Sequence, residues 1–222
     1  SVLMIPAFSI ERTQELLYEI NLLLKDMDTK IPIFLDSPMA IKATQIYRDY
    51  SEYLKFDADI LKEEDRDFFS FPNLVITSST QDSKKINDTP TPKIIIAGSG
   101  MMSGGRIMHH LIRYLGDKKN TVLIIGYQAH GTTGRKIYEG AKKAKIFGEE
   151  VQVRAGGKAI GSFSAHGDAD KLLRWLKPKE GNVPKIFLVH GDPEAKEVFA
   201  TSLRHNLRAE VIIPEFESEH EL

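Results

Sequence analysis

The chain has no cysteine among its 222 residues. That excludes a disulfide scaffold and a thiolate zinc site, so any transition metal would rest on histidine and carboxylate ligands. It also lacks an excess of either charge: 30 Lys and Arg stand against 31 Asp and Glu, a formal net charge of −1. No global basic field announces nucleic acid, although a local basic groove stays open. No apolar run approaches the ~18–20 residues of a membrane span, no signal-peptide pattern opens the chain, and low-complexity stretches are missing. These absences point to a soluble, cytoplasmic protein. Its length suffices for one large α/β domain or two smaller units. The chain starts almost inside a strand, Val2–Ala7, and so reads as a piece of something longer.

What is present is alternation. Strand-like and helix-like segments follow one another, the pattern of a parallel sheet covered by helices. Strands are expected at Val2–Phe8, Ile31–Leu35, Leu74–Thr77, Lys93–Ala97 and Thr121–Gly126. Helices are expected from a Ser9 cap to about Lys25, with Leu16, Ile20, Leu23 and Met27 on one face, and from a Ser37-Pro38 start to about Leu54, burying Ile41, Ile46, Tyr47 and Tyr50. Further helices are expected over Gly105–Leu115 and Thr133–Lys142, with residues 55–72 a short helix and loop and Ser78–Pro92 a connection. After Ala144 the style changes: Lys145–Phe147 and Val151–Arg154 read as an antiparallel hairpin turning at Gly148-Glu149. A soft boundary falls near residue 143, giving domains 1–143 and 144–222.

Near its end the chain twice runs from an apolar segment into His-Gly-Asp and then a helix: Ala159–Asp170 and Lys185–Lys196. A strand ending at histidine places the imidazole on a sheet rim, where ligands of α/β proteins gather. His166 and His190 are therefore the first candidates for chemistry, sharing a metal or a phosphate; the bland alternative is a pair of hydrogen-bonded imidazoles finishing strands. Gly167 and Gly191 permit the sharp turn. Asp168 and Asp192 precede helical sequence and read as caps before they read as ligands. A catalytic zinc usually takes three protein ligands, and no His-x-His or His-x-x-x-His pair occurs, so a metal site is incomplete. His109 and His110 point about 100° apart on one helix and cannot chelate one ion. His130 lies in a loop where it could touch substrate, and His205 and His220 read as surface residues. Asp36 tempts as a general base, but Ser37-Pro38 after it gives an ordinary helix-start explanation.

Two glycine-rich loops sit between strand and helix. In Ala97–Arg106 (AGSGMMSGGR), Ser99, Gly100, Ser103, Gly104 and Gly105 let a ligand approach the backbone, and Arg106 offers a fork suited to phosphate. It is not a Walker A loop, since Gly-Lys-Ser/Thr is missing, and its spacing is not that of a dinucleotide fingerprint. In Gly126–Arg135 (GYQAHGTTGR), Gly131, Thr132, Thr133, Gly134 and Arg135 could seat a second phosphate. Two such loops on one sheet edge suit a polymeric phosphodiester better than a single nucleotide. Ser37 could join them, or serve as a plain N-cap.

Six segments together, PAFSIERTQELL (6–17), IFLDSPMA (33–40), IIAGSGMMSGGR (95–106), GYQAHGTTGR (126–135), GSFSAHGD (161–168) and FLVHGDPEA (187–195), resemble the β-CASP family of metallo-β-lactamase-fold nucleases that process RNA. The resemblance implies a Rossmann-like β-CASP domain followed by the carboxy-terminal β/α part of a metallo-β-lactamase fold, the RNA-specificity segment. It implies that His166 assists leaving-group protonation, that His190 ligates one of two zinc ions, and that Ser37 and the glycine loops hold RNA backbone. Two zinc ions would clamp the phosphate and generate hydroxide. The family's His-x-His-x-Asp-His motif, its remaining zinc ligands and the acid that partners its histidine all precede Ser1, and Asp36 is not that acid. Where many relatives have an acidic residue this chain has His130, and Thr133 stands where leucine is usual.

The expected activity is hydrolysis of RNA phosphodiesters by a zinc-dependent parent, endonuclease or exonuclease, with this piece inactive alone and not retaining the two zinc ions. Expected partners are single-stranded RNA and the missing amino-terminal metallo-β-lactamase part, with no membrane and room for a homodimer. The alternatives are a non-catalytic β-CASP RNA-binding or scaffold module and a nucleotide-binding enzyme.

Overall fold

A computed structural model describes residues 1–25, 27, 29–54, 67–161, 166–179 and 185–221. The chain divides into two compact units, residues 1–164 and 165–222.

In the first unit six strands form one parallel sheet: β1 (Val2–Pro6), β2 (Ile33–Asp36), β3 (Leu74–Ile76), β4 (Lys93–Ala97), β5 (Thr121–Ile124) and β8 (Gly156–Ala159), in the order β3-β2-β4-β1-β5-β8. The four central strands, β2, β4, β1 and β5, carry near-continuous apolar sequence because both their faces are covered. Their pleat splits them between two cores. Met4, Phe34, Ile95 and Val122 face one side, where they meet α4 (Ile107–Tyr114) and α5 (Thr133–Tyr138) through Ile107, Leu111 and Ile137. Ile5, Leu35 and Ile96 face the other, against α1 (Arg12–Lys25) and α2 (Pro38–Asp49) through Leu16, Leu17 and Ala40. The first two crossover helices, α1 and α2, therefore cover one face, and α4 and α5 cover the other. Ligands of such folds bind outside the carboxyl edge of the sheet, where the strand order reverses.

Several boundaries differ from those expected. Ser9 does not cap α1. The chain turns through residues 9–11, Thr13 closes back on Phe8, and the helix starts at Arg12. The buried stripe of α1 is Thr13, Leu16 and Leu17, continued by Ile20 and Leu24, while Leu23 and Met27 are exposed. On α2, which ends at Asp49, Ile41 and Tyr47 pack on the core, but Ile46 and Tyr50 face outward. The Ser78–Pro92 connection holds a helix, α3 (Thr80–Lys85), capped by Ser79, whose Oγ accepts from the Asp82 amide at 3.0 Å. Most of the 55–72 segment lies outside the described residues.

The hairpin is present as β6 (Lys143–Ile146) and β7 (Glu149–Gln152), antiparallel as expected. Ala144, Ile146 and Val151 join the α4 core. The unexpected element is β8. Its sequence, Gly-Gly-Lys-Ala, has low strand propensity, yet it pairs with β5 from Thr121↔Gly156 to Ile124↔Ala159. These contacts carry the first compact unit well past residue 143, to residue 164.

The second unit is small. Strands β9 (Lys185–Phe187) and β10 (Glu210–Ile212) pair in parallel, joined by α7 (Pro193–Leu207) and preceded by α6 (Ala169–Leu176). Ala200, Leu203, Leu207 and Val211 form its core. Among the described residues, no helix is long and apolar enough to cross a membrane.

Candidate nucleic-acid interface

The two glycine loops leave adjacent parts of one sheet edge and are locked together. Gln128 is buried, and its Nε2 donates to the Gly100 carbonyl at 3.0 Å and to that of Gly126 at 3.1 Å. The Gly134 amide donates to the Met101 carbonyl at 3.1 Å. The glycines here are steric necessities. A Cβ on Gly134 would sit 1.7 Å from Gln128 Oε1 and 2.9 Å from the Met101 carbonyl oxygen. Gly105 has φ +74°, and a Cβ there would lie 2.4 Å from the Gly98 carbonyl. Gly100 is packed under the Phe8 ring.

This separates the sequence candidates into framework and surface. Gly100 and Gly134 are buried framework, and the Gly134 amide already has its acceptor. Ser37 is a buried N-cap of α2: its Oγ accepts from the Ala40 amide at 3.3 Å and lies 3.3 Å from Ser9 Oγ. Thr132 caps α5, its Oγ1 accepting from the Arg135 amide at 3.1 Å. Ser99 Oγ accepts from the Ser103 amide at 3.1 Å. Ser103, Gly105 and Gly131 are exposed, and Gly104 is half-buried. Arg135 Nε donates to Glu139 at 2.6 Å and lines a cleft of about 670 Å³ with Tyr127, Tyr138, Ile160 and Gly161.

Arg106 does something the sequence did not show. Its Nη1 donates to Asp36 Oδ1 at 2.7 Å and to the Thr77 carbonyl at 2.8 Å, and its Nη2 to the Ser78 carbonyl at 3.0 Å. Asp36 is fully buried and also accepts from Thr77 Oγ1 (2.8 Å), Ser83 Oγ (2.7 Å) and His110 Nε2 (2.7 Å). An ionised carboxylate only accepts, so His110 must carry its proton on Nε2. Burial alone would raise the Asp36 pKa. The hydrogen bonds from His110, Ser83, Thr77 and Arg106 outweigh it and lower the pKa from 3.8 to about 2. Asp36 is a structural hub that ties β2, the end of β3, α3 and α4 together, and not a general base.

In the second unit His166 and His190 are both exposed. The residues before His166, 162–165, lie outside the described ones; β8 ends at Ala159, and β9 ends at Phe187, three residues before His190. His190 has φ +63° and Gly191 φ +100°. A left-handed non-glycine residue is uncommon, and such positions concentrate at functional sites. Asp168 Oδ1 caps α6, accepting from the Lys171 amide at 2.7 Å. Asp192 stands at the N-cap of α7, with Pro193 following, and its backbone carbonyl accepts from Lys196 at 3.0 Å. Among the described residues, no group of three His, Asp or Glu side chains could hold a metal. The described donors do not by themselves fit a zinc centre.

Of the remaining histidines, His109 is exposed beside Phe147, and His110 belongs to the Asp36 hub. His130, His205 and His220 are exposed.

Comparison with known proteins adds two domain matches: a Beta-Casp domain over residues 13–137 and a Zn-dependent metallo-hydrolase RNA specificity domain over residues 150–214. The two ranges lie either side of residue 143, whereas packing divides the chain at 164; the Beta-Casp domain is thus compacted together with the hairpin and β8. Ribonuclease TTHA0252 of Thermus thermophilus is 37% identical over 191 residues, covering 86% of this chain and 43% of that protein. Transcription termination factor FttA of Methanosarcina mazei is 30% identical over 216 residues, 94% of this chain and 34% of that protein. An RNase J-like protein of Methanocaldococcus jannaschii is 32% identical over 212 residues, 95% of this chain and 48% of that protein. The chain spans less than half the length of these relatives.

Proposed function

Since the chain belongs to the Beta-Casp family, we propose that it is the RNA-binding portion of a zinc-dependent ribonuclease and supplies part of its active site. The observation that carries the reading is the interlocked pair of glycine loops on the carboxyl edge of the parallel sheet. Their buried members hold a rigid backbone, while Ser103, Gly104, Gly105 and Gly131 present small surfaces to a phosphodiester chain. Backbone amides and hydroxyls of that kind position a nucleic acid without reading its sequence.

In the complete protein His190, presented by its left-handed turn, would contribute one imidazole to a zinc centre, whose chemistry would be the activation of a water. His166, exposed beside its own glycine turn, gives its ring proton to the leaving oxygen. The remaining ligands come from the amino-terminal part, so this chain alone hydrolyses nothing. Incubation with single-stranded RNA and zinc, with and without chelator, tests this: no cleavage is expected, and chelator-sensitive cleavage overturns the half-site reading. RNA binding by the chain, measured separately by fluorescence anisotropy, is expected to survive the chelator.

A further inference from the structure

The charge balance of the whole chain conceals a strong local imbalance. Residues 101–160 hold eleven Lys and Arg against four Asp and Glu, net +7 in a chain of net −1. The excess belongs to the α4, α5 and hairpin side of the first unit. One groove at the border of this region is lined by Lys84, Arg106 and Arg113.

That groove, of about 370 Å³, runs between α3 and α4. Arg106, His109 and Arg113 follow one another at helical spacing along its α4 wall, and Lys84, Ser83 and Asn87 come from the α3 side. No carboxylate lines it among the described residues. Asp82, the acid of α3, is held by Ser79 Oγ at 2.6 Å and Lys85 Nζ at 3.0 Å. At one end Arg106 opens the groove onto the first glycine loop. His109 on the same wall lies against the hairpin tip, its ring centroid 4.7 Å from that of Phe147, which is 57% exposed. Aromatic faces beside cationic side chains are how single strands are held without sequence preference.

We propose that single-stranded RNA leaving the glycine loops continues along the α3–α4 groove, with Lys84 and Arg113 on its phosphates and a base stacked on the Phe147–His109 pair. This rests on the RNA-binding reading above. It adds a second contact region beyond the glycine loops, whose use depends on RNA length.

The test is anisotropy on this chain with oligouridylates of about four and about twelve nucleotides, a range spanning single-strand site sizes, over a salt series. Wild type is expected to bind the longer RNA more tightly. The K84E/R113E variant should lose at least about tenfold affinity for the longer RNA, with the salt slope shallower by about 1.4, from ~0.7 per phosphate contact. F147A should lose about fivefold or more through lost stacking. Binding of the short RNA should not change. Both charged residues are exposed, and K84Q/R113Q, with an intermediate loss, guards against misfolding of the reversed variant. Length-independent wild-type binding, or unchanged binding of the longer RNA by both charge variants, overturns the groove and leaves RNA binding at the loops intact. If wild type binds neither RNA, both readings fall together.

Discussion

Asp36 and the His-Gly-Asp turns use the same kinds of side chain to opposite ends. At Asp36 a carboxylate, an imidazole, a guanidinium and two hydroxyls close on one another inside the first unit, and the carboxylate has four side-chain donors. At His166 and His190 the imidazoles stand exposed on turns, and Asp168 caps its own helix. A histidine beside an aspartate is therefore no sign of chemistry by itself. What distinguishes the two regions is whether the polar groups satisfy one another or are left facing outward for something else.

The comparison breaks most sharply at Asp36. Replacing it by alanine leaves the Arg106 cation and the His110 donor without their buried acceptor, and removal of one partner from such a pair costs about 3–5 kcal/mol. Urea unfolding should register that loss, with Asp36→Asn milder. Next in size are the glycines of the loops. Gly134→Ala forces Gln128 aside and drives the loops apart, an overpacking cost of about 1–3 kcal/mol; the same denaturation experiment reads it, and RNA affinity should fall with it.

Acid gives a comparable, reversible loss. The Asp36 pKa is depressed to about 2, so its contribution is fully present above its ordinary 3.8 and disappears as pH falls through about 2. That depression corresponds to roughly 2 kcal/mol. Unfolding free energies followed from pH 5 to pH 2 should fall by about this amount more in wild type than in Asp36→Asn. The smallest effects belong to the turns: His166→Ala and His190→Ala should each shift the melting temperature by no more than about 2 °C, as exposed substitutions do. A large shift at either position would erase the contrast between the regions.

The sequence made the loops legible because glycine clusters between a strand and a helix have a local cause. It made the parallel sheet legible because buried strands read as continuous apolar runs, as Lys-Ile-Ile-Ile-Ala at β4 does. The Asp36 hub was not legible. Its members lie 41 to 74 positions away along the chain, and only the strand order brings the ends of β2 and β3 to the start of α4. Arg106 looked like a phosphate ligand because guanidinium suits phosphate, but it suits a buried carboxylate equally well. The edge strand β8 stayed hidden for a different reason: two glycines and a lysine carry no strand pattern, and its pairing with β5 depends on residues more than thirty positions away.

The bonds from Gln128 to Gly100 and from Gly134 to Met101 also have a kinetic consequence. Loops usually fluctuate as independent segments of low local stability. These two share their hydrogen bonds, so an opening of one exposes the amide of the other, and they open as a single unit. A ligand that settles on one loop stiffens its neighbour without touching it, and the second contact along a strand then costs less order than the first.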